Sequence, residues 1–220
     1  MNPTPMNPTP KIAIIGAGNV GTSLGINLAG HGYPLRFGVR EGSDVKEVLA
    51  KCQGRAEASS VSAAAQWADV IFLAVPAPAA EEAVRSLGDV KGKVLVDCTN
   101  PVAFGNDGPR LTPTAQGSVA ATLAQAFPGL RVVKGFSTFG AEFHLEPRVG
   151  DTSVDVQLAG DDAEAKALVS AIATKAGFTP VDAGPLRNAA LLESLAVLWI
   201  HLAMKGGQGR HVAFKLLKRG

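Results

Sequence analysis

The 220-residue chain has little of what several classes of protein depend on. Its two cysteines, Cys52 and Cys98, are too few and too far apart for a disulfide framework or a zinc site. The formal net charge of +2 favours no nucleic-acid partner. The longest apolar stretch, residues 189–204, contains polar side chains and is shorter than the roughly 20 residues that a membrane-spanning helix needs. We therefore expect a cytoplasmic protein with no metal site, no nucleic-acid partner and no membrane span.

The first ten residues repeat the pentapeptide MNPTP, and their four prolines oppose both helix formation and strand pairing. They lack the basic and apolar regions of a secretory signal. We interpret residues 1–10 as a disordered tail. No change in composition marks a linker further along the chain, so residues 11–220 are expected to form one domain, with a core over residues 11–140 and a C-terminal extension over residues 141–220.

A glycine-rich turn follows the first apolar run, because KIAII leads directly into GAGNVG. Gly16, Gly18 and Gly21 have the spacing G-x-G-x-x-G, which permits a tight turn, approach of a pyrophosphate to the backbone, and close packing of a helix on a strand. The helix that starts near Asn19 would offer unpaired N–H groups to the phosphates. We therefore predict a dinucleotide site formed by Gly16, Ala17, Gly18, Asn19, Val20 and Gly21.

Short apolar runs alternate with helical patterns along the rest of the chain, as in a parallel sheet covered by helices. With the glycine turn, this alternation predicts an α/β fold that has a Rossmann-like, doubly wound, mostly parallel sheet and a C-terminal helical extension. Four local expectations accompany it: a surface loop over residues 104–116, irregular structure over residues 139–152, Asp161 as the cap of the helix that ends at Gly177, and a short basic helix within residues 205–220.

The choice of dinucleotide depends on the end of the second strand, which reads FGVREGSD. A site for NAD places an Asp or Glu there to hold the ribose 2'-hydroxyl, whereas the first charged residue of this chain is Arg40. A guanidinium suits a 2'-phosphate, so Arg40 predicts NADP, and the hydroxyl of Ser43 could add a contact. Residues 11–220 would then be a single NADP-binding Rossmann domain. The alternative is that Arg40 is a solvated loop charge.

No strand end carries a usual acid–base set. Ser137 has no evident base partner, and Cys98 is interpreted as a small buried thiol. The four histidines are interpreted as packed or solvated: His31 and His201 on helices, His144 in a loop, and His211 in the basic C-terminal segment. Hydride transfer requires alignment and exclusion of water but little proton chemistry from the protein. The pattern therefore favours hydride transfer by positioning, with no catalytic side chain.

Five segments of the sequence together resemble the family of coenzyme F420-dependent NADP reductases, whose fold is shared by the cytosolic domain of six-transmembrane metalloreductases. The segments are IAIIGAGNVG, the Val75–Pro76 step, VDCTNP at 96–101, VVKGFSTFGA at 132–141 and VDAGPLRNAALLESLA at 181–196. The resemblance implies that the nicotinamide portion of NADP approaches Val75, Pro76, Asn100, Thr138 and Phe139. It also implies that an acceptor stacks over the nicotinamide, on the side of Ser137, Thr138 and Phe139.

The sequence departs from the archaeal deazaflavin enzymes of that family by having a glycine turn one residue shorter, Ser137 in place of a histidine, and Asp44 where a lysine is common. We expect an NADP(H)-dependent oxidoreductase that transfers hydride between NADPH and coenzyme F420 or a flavin-like acceptor. The alternatives are a non-catalytic NADP(H)-sensing module, and a reductase of a small imine, a carbonyl compound or a metal chelate. The apolar segment Leu191–Met204 favours a homodimer.

Overall fold

A computed structural model describes residues 9–219, so residues 1–8 of the predicted tail, and Gly220, lie outside the described residues. Its strands are β1 (Ile12–Ile15), β2 (Leu35–Val39), β3 (Ala56–Ser60), β4 (Val70–Leu73), β5 (Val94–Asp97), β6 (Val102–Gly105), β7 (Gly108–Leu111), β8 (Arg131–Lys134), β9 (Arg148–Val149), β10 (Thr152–Ser153), β11 (Asp155–Gly160) and β12 (Thr179–Asp182). Its helices are α1 (Asn19–Gly30), α2 (Lys46–Lys51), α3 (Val61–Trp67), α4 (Ala80–Arg85), α5 (Val119–Ala126), α6 (Ala141–Leu145), α7 (Ala163–Lys175) and α8 (Ala189–Met204).

The central sheet has eight strands in the order β3-β2-β1-β4-β5-β8-β11-β12. The strands from β3 to β8 are mutually parallel, whereas β11 runs antiparallel to β8 and β12 runs parallel to β11. This arrangement confirms the predicted doubly wound, mostly parallel sheet. Strands β1, β4 and β5 are buried along their whole length, which explains why they read as continuous apolar runs rather than alternating ones.

Two layers of helices cover the sheet. One layer contains α1 and α7, whose Leu24, Leu28 and Val169 belong to the same buried cluster as Ile12 and Phe72 of the sheet. The other contains α3, α4, α5 and the start of α8, which pack against the opposite face of the same strands. Because each central strand is sandwiched between helices, only its ends reach solvent, and ligands must approach the sheet at an edge.

A β-hairpin occupies most of the predicted surface loop at residues 104–116, and that prediction is wrong for this part. Strands β6 and β7 pair antiparallel, with Gly105 opposite Gly108. The Gly/Asn/Asp-rich sequence therefore marks the tight turn at Asn106 and Asp107 rather than a long loop. Gly108 has a φ of +115°, which favours glycine at this turn.

Three further local predictions are corrected by the structure. Residues 139–152 are not irregular, because they contain α6 and strand β9, which pairs with β10. The cap of α7 is Asp162, whose Oδ1 accepts a hydrogen bond of 2.8 Å from Ala165 N, whereas Asp161 accepts one of 2.9 Å from Leu186 N. Residues 205–219 contain no helix, because their glycines favour turns and their backbone groups bond instead to the body of the domain.

A 3-10 turn over Leu186–Asn188 precedes α8, so the two form one continuous helical segment, Leu186–Met204. Among the described residues, Leu186–Met204 is the one helical segment long and apolar enough to cross a membrane by length and composition. Core helices of globular domains meet the same criteria. In this structure Leu192, Ala196 and Trp199 are buried against the domain.

Candidate dinucleotide and hydride-transfer site

The predicted site residues meet at one edge of the sheet. The carboxyl ends of β1, β2, β4, β5 and β8 lie side by side there, and the order of the strands reverses between β1 and β4. Such a reversal leaves a crevice that binds ligands in open α/β sheets. The structure brings to this edge the glycine turn 16–21, the turn 40–43, the Val75–Pro76 step, Asn100 and the turn 137–139.

The three motif glycines have different structural reasons for lacking a side chain. Gly16 has a φ of +101°, and a Cβ there would also crowd the carbonyl of Ala74. A Cβ on Gly21 would collide with the carbonyl oxygen of Gly16. By contrast, a Cβ on Gly18 would meet no described atom within 4 Å. The fold therefore requires glycine at positions 16 and 21, whereas at position 18 it leaves open space that a ligand can approach.

The open space at Gly18 lies at the start of α1. Gly18 is the N-cap of this 12-residue helix, and no described side chain bonds to the first turn. The first N–H groups of a helix need partners, and together with the helix dipole they favour an anion. The space above Gly18 and the uncapped helix together fit a pyrophosphate.

A cavity of about 440 Å³ adjoins the glycine turn and is lined by Ala17, Thr22, Asp44, Val45, Lys46, Glu47, Val48 and Lys51. The exposed residues Arg40 and Ser43 stand beside this region in a turn closed by a hydrogen bond of 3.1 Å from Ser43 N to Arg40 O. No pattern in the sequence singled out Lys46, although it follows Asp44 by two positions. Asp44 Oδ1 accepts a hydrogen bond of 3.1 Å from Lys46 N, so this carboxylate is bonded to the backbone at the start of α2.

The ends of β5 and β8 are joined by a hydrogen bond of 2.7 Å from Asn100 Nδ2 to Ser137 O. Thr138 Oγ1 donates to Gln157 Oε1 at 2.6 Å, so the neighbouring strand β11 also reaches this edge. Within residues 9–219, the buried atoms Asn100 Oδ1 and Ser137 Oγ have no hydrogen-bond partner. Unpartnered buried polar atoms are uncommon in folded proteins. These two would suit a group that both donates and accepts hydrogen bonds.

Phe139 is directed into the core rather than toward the crevice. Its ring stacks on Phe178 with a centroid separation of 5.4 Å and contacts Phe143 and His144 at 6.5 and 4.9 Å. A contribution of Phe139 to a bound cofactor would therefore come from its backbone. The sequence could not show whether Phe139 would contribute through its backbone or through an exposed ring.

His144 lies on α6 and is buried, which corrects the prediction that it sits in a loop. Its Nε2 is 2.9 Å from Phe136 O, and its Nδ1 is 3.3 Å from Gly140 O. Burial lowers the pKa of His144 to about 4, so the ring is neutral near pH 7 and has one N–H to donate. The shorter contact assigns that donation to Phe136 O. His144 therefore shapes the turn at the end of β8 and is not an acid–base group.

The turn that His144 holds begins at Phe136, whose φ of +55° is in the left-handed region that favours glycine. The Phe136 ring packs edge-on against Phe72 and Phe178, with both centroid separations at 5.3 Å. These aromatic contacts and the bond from His144 stabilise a backbone conformation that is otherwise unfavourable. The turn directs Ser137 and Thr138 toward the edge of the sheet.

A buried charged cluster lies beneath the ends of β5 and β8. The ammonium of Lys134 is 3.0 Å from Asp97 Oδ2 and 3.4 Å from Glu193 Oε1, and all three side chains are almost fully buried. Glu193 Oε1 also accepts a hydrogen bond of 2.9 Å from Val119 N, the first residue of α5. Burial raises the pKa of Glu193. No role for these residues was predicted, although each is a charged residue inside an otherwise apolar run.

The remaining candidate groups offer no further chemistry. Cys98 is buried, and burial raises the pKa of its thiol far above the ordinary value, so it is a poor nucleophile. His31, His201 and His211 are exposed. Among residues 9–219, no group of His, Cys, Asp and Glu side chains is arranged to hold a metal ion. This edge of the sheet therefore provides a crevice lined by polar groups.

Comparison with a family model matches residues 11–101 to the family described as coenzyme F420-dependent NADP oxidoreductases. The metalloreductase STEAP3 of Rattus norvegicus is 32% identical over 186 residues, which are 84% of this chain and 36% of the relative. The metalloreductase STEAP2 of Mus musculus is 29% identical over 189 residues, which are 84% of this chain and 35% of that relative. The chain therefore spans about a third of the length of these curated relatives.

Solved structures match nearly the whole chain. A protein from Arthrobacter sp. FB24, assigned as an F420-dependent NADP reductase, is similar with a TM-score of 0.84 and 26% identity, over 95% of this chain and 100% of that one. A hypothetical protein from Sinorhizobium meliloti has a TM-score of 0.72 and 27% identity, covering 96% of each chain. A reductive aminase from Aspergillus terreus, solved in complex with NADPH4, cyclohexanone and allyl amine, has a TM-score of 0.65 but only 18% identity, over 90% of this chain and 63% of that one, which shows a shared fold.

Proposed function

Because residues 11–101 match the model of the family described as coenzyme F420-dependent NADP oxidoreductases, we propose that the chain belongs to this family and transfers hydride between NADPH and a deazaflavin (coenzyme F420) or a flavin-like acceptor. The observation that carries this proposal is the crevice at the strand ends, where a glycine turn leaves space that the fold does not need. A crevice that has polar anchors and, within residues 9–219, no acid–base group suits hydride transfer between two ring systems.

The residues of the crevice fit NADP(H). The space above Gly18 and the free N–H groups of α1 would receive the pyrophosphate. Arg40, Ser43 and Lys46 would bind the 2'-phosphate beside the cavity of about 440 Å³. Val75, Pro76, Asn100, Thr138 and the backbone of Phe139 would surround the nicotinamide. NADPH, when bound, supplies the hydride.

The protein's own contribution to the reaction is alignment and exclusion of water. His144 is neutral and engaged with the backbone, and Cys98 keeps its proton, so neither is available for proton transfer. Reduction of a flavin-like ring by hydride needs no strong protein acid or base in contact with nicotinamide. Holding the two rings at reacting distance is the contribution to the rate that such a mechanism asks of the protein.

A metal chelate is the second candidate acceptor. It is favoured by the 32% identity to a relative named as a metalloreductase, of which this chain spans about a third. A small imine or carbonyl acceptor has less support, because the similarity to the reductive aminase, at 18% identity, extends to the fold alone. The match of residues 11–101 to a family of oxidoreductases favours an enzyme over a sensing module without turnover.

A panel of acceptors tests the proposal. The full chain is mixed with NADPH and, in turn, oxidised F420, FMN, FAD and a ferric chelate, while the absorbance of the reduced nicotinamide is followed. We expect turnover with F420 or a flavin, slower turnover with NADH, and none with the Gly18→Val variant, whose side chain would fill the pyrophosphate space. Turnover with the ferric chelate alone would support the second candidate. Tight NADPH binding without turnover of any acceptor would refute hydride transfer and support the sensing module.

A further inference from the structure

The buried cluster of Asp97 and Lys134 holds both backbone polar groups of Thr99. Thr99 N donates a hydrogen bond of 2.9 Å to Asp97 Oδ1, and Lys134 Nζ donates to Thr99 O. The same ammonium is paired with Asp97 Oδ2 at 3.0 Å. The chain that leaves β5 is therefore fixed at Thr99 by two side chains, one from β5 itself and one from the neighbouring strand β8.

Stability alone does not account for this cluster. Removing charges from water is costly, and a buried ion pair is often no more stabilising than apolar side chains of the same volume. Lys134 and Asp97 are nevertheless completely buried among apolar residues of the sheet, with Glu193 from α8 beside them. A specific backbone position is what the ammonium of Lys134 provides and an apolar side chain could not.

The residue that follows Thr99 carries an unpartnered polar group. Asn100 uses Nδ2 to bond Ser137 O at 2.7 Å, while Asn100 Oδ1 and Ser137 Oγ are buried without a partner among the described residues. Ser137 is 5% exposed. The acceptor oxygen of Asn100 and the hydroxyl of Ser137 belong to two residues that the bond from Asn100 Nδ2 to Ser137 O joins, and together they match the donor and acceptor of a planar amide such as a carboxamide.

We propose that Lys134 is a positioning residue, which acts through the carbonyl of Thr99 to hold Asn100 and Ser137 where they receive the carboxamide of the nicotinamide. This proposal rests on the proposed function, because it requires NADPH to bind in the crevice. Lys134 itself touches neither cofactor nor acceptor. Its charge is balanced by Asp97 and its place is fixed by Glu193, so α8 contributes to the site without entering it.

A double variant, Asp97→Asn with Lys134→Met, isolates the contact to Thr99. It removes the charges of Asp97 and Lys134 together, and the amide oxygen of Asn can still accept from Thr99 N. Glu193 loses its cation but keeps the hydrogen bond from Val119 N, and burial already raises its pKa. The probes are NADPH and 2',5'-ADP, which has the 2'-phosphate end of the cofactor but no nicotinamide. Lys93→Met is the matched control, because Lys93 precedes the opposite end of β5 and donates to Gln66 O and Ala68 O, far from the crevice.

We expect the double variant to bind NADPH roughly three- to tenfold more weakly than the wild type, while its affinity for 2',5'-ADP stays within about twofold. Lys93→Met should change neither affinity. Asn100→Ala should cause the same selective loss, and combining it with the double variant should add little, because both changes act on one contact. If the double variant does not fold, Asn100→Ala still tests the contact on which the proposal depends, because an unchanged NADPH affinity would leave Lys134 nothing to position.

Equal weakening of NADPH and 2',5'-ADP in the double variant would overturn the proposal, because it would indicate general damage to the fold. Additive losses on combination with Asn100→Ala, or an unchanged NADPH affinity in Asn100→Ala alone, would overturn it as well. Failure of the proposed function is a separate result, since the wild-type chain would then fail to bind NADPH or to reduce any acceptor.

Discussion

Arg40 lies exposed at the end of β2, and Lys46 lines the neighbouring cavity, so two cations stand where a ribose 2'-phosphate would bind. Arg40→Ala removes a charge-assisted hydrogen bond to that phosphate. It should weaken NADPH binding by roughly 1.5 to 3 kcal/mol and leave NADH binding almost unchanged. Titration calorimetry with both cofactors measures this difference. Arg85→Ala, at an exposed arginine of α4, is the control, and equal losses for NADPH and NADH would remove Arg40 from this role.

His144 makes stability depend on pH. Its pKa falls from 6.5 in the unfolded chain to about 4 in the fold because of burial. Between these pKa values the unfolded chain binds more protons than the folded one. The contribution of His144 to the free energy of unfolding is therefore complete above pH 6.5 and is lost progressively as the pH falls toward 4. We expect a loss of roughly 3 kcal/mol in the free energy of unfolding.

Urea denaturation across that pH range measures the effect, with His144→Gln as the matched variant. The Gln amide can donate to Phe136 O but does not titrate, so its stability profile should be flatter than that of the wild type. His201→Gln, at an exposed histidine, should leave the profile unchanged. An equally steep profile in His144→Gln would assign the acid sensitivity to other groups.

Single residues were predicted from sequence only where the chemistry is local. The glycine turn and Arg40 depend on neighbours in the chain, and their patterns are visible in GAGNVG and FGVREG. Lys134, Asp97 and Glu193 belong to three elements that become neighbours only through the strand order and the placement of α8. No local pattern carries that information, so a charge inside an apolar run gives no indication of its partner.

Among the elements, the buried parallel strands were predictable and the short ones were not. A strand covered on both faces reads as an apolar run, as VIFL in β4 does. The hairpin of β6 and β7 has four residues per strand, too few to separate pairing from loop by periodicity. The antiparallel direction of β11 could not be predicted either, because an apolar run reads the same whichever way the strand runs.

The C-terminal segment, residues 205–219, has no regular secondary structure but is bonded to the rest of the domain. Val212 O accepts from Trp199 Nε1 at 2.6 Å, Leu216 N donates to Asp155 Oδ2 at 2.6 Å, and Lys215 pairs with Asp155. Asp155 is almost completely buried, so it depends on this segment for its countercharge. The segment therefore stabilises the start of β11.

Lys215→Met should lower the free energy of unfolding by roughly 2 to 4 kcal/mol, because it leaves the buried carboxylate of Asp155 without a cation. Urea denaturation measures this change. Lys218→Met is the matched control, since Lys218 is an exposed lysine of the same segment. Similar free energies of unfolding for the two variants would show that Lys215 stabilises the fold no more than an exposed lysine does.

At the scale of the whole molecule, α8 leaves apolar side chains exposed. Leu191 is 66% exposed, Leu198 48% and Met204 58%, and Phe104 of the adjacent hairpin is 64% exposed. Exposed apolar patches of this kind mark interfaces. We propose a homodimer formed through Leu191–Met204, because a second copy of the same helix offers a matching apolar surface.

Light scattering after size exclusion measures the mass. We expect the wild-type chain to have twice the mass of one chain, and Leu191→Glu combined with Leu198→Glu to halve it. Leu217→Glu is the control, because Leu217 is 84% exposed but lies in the C-terminal segment rather than on α8. A wild-type monomer, or a dimer that tolerates both glutamates on α8, would refute this interface.

The global arrangement was predictable as a class of fold. Alternation of strand and helix patterns, with a glycine turn at the start, is typical of one doubly wound sheet. The division into a core over residues 11–140 and an extension over 141–220 is less evident in three dimensions, because β11 and β12 of the later part complete the same sheet. Their place at the sheet edge arises from contacts with β8 that lie far away in sequence.

The three motif glycines differ in the reason for which a side chain is absent, and this difference has an evolutionary consequence. In a library selected only for folding, Gly16 and Gly21 should resist change, whereas position 18 should accept side chains freely, because a Cβ there meets no described atom within 4 Å. Selection for turnover should restore glycine at position 18 and nowhere else in the turn. A descendant chain that had given up its cofactor to become a scaffold would thus retain the outer pair of glycines and lose the middle one.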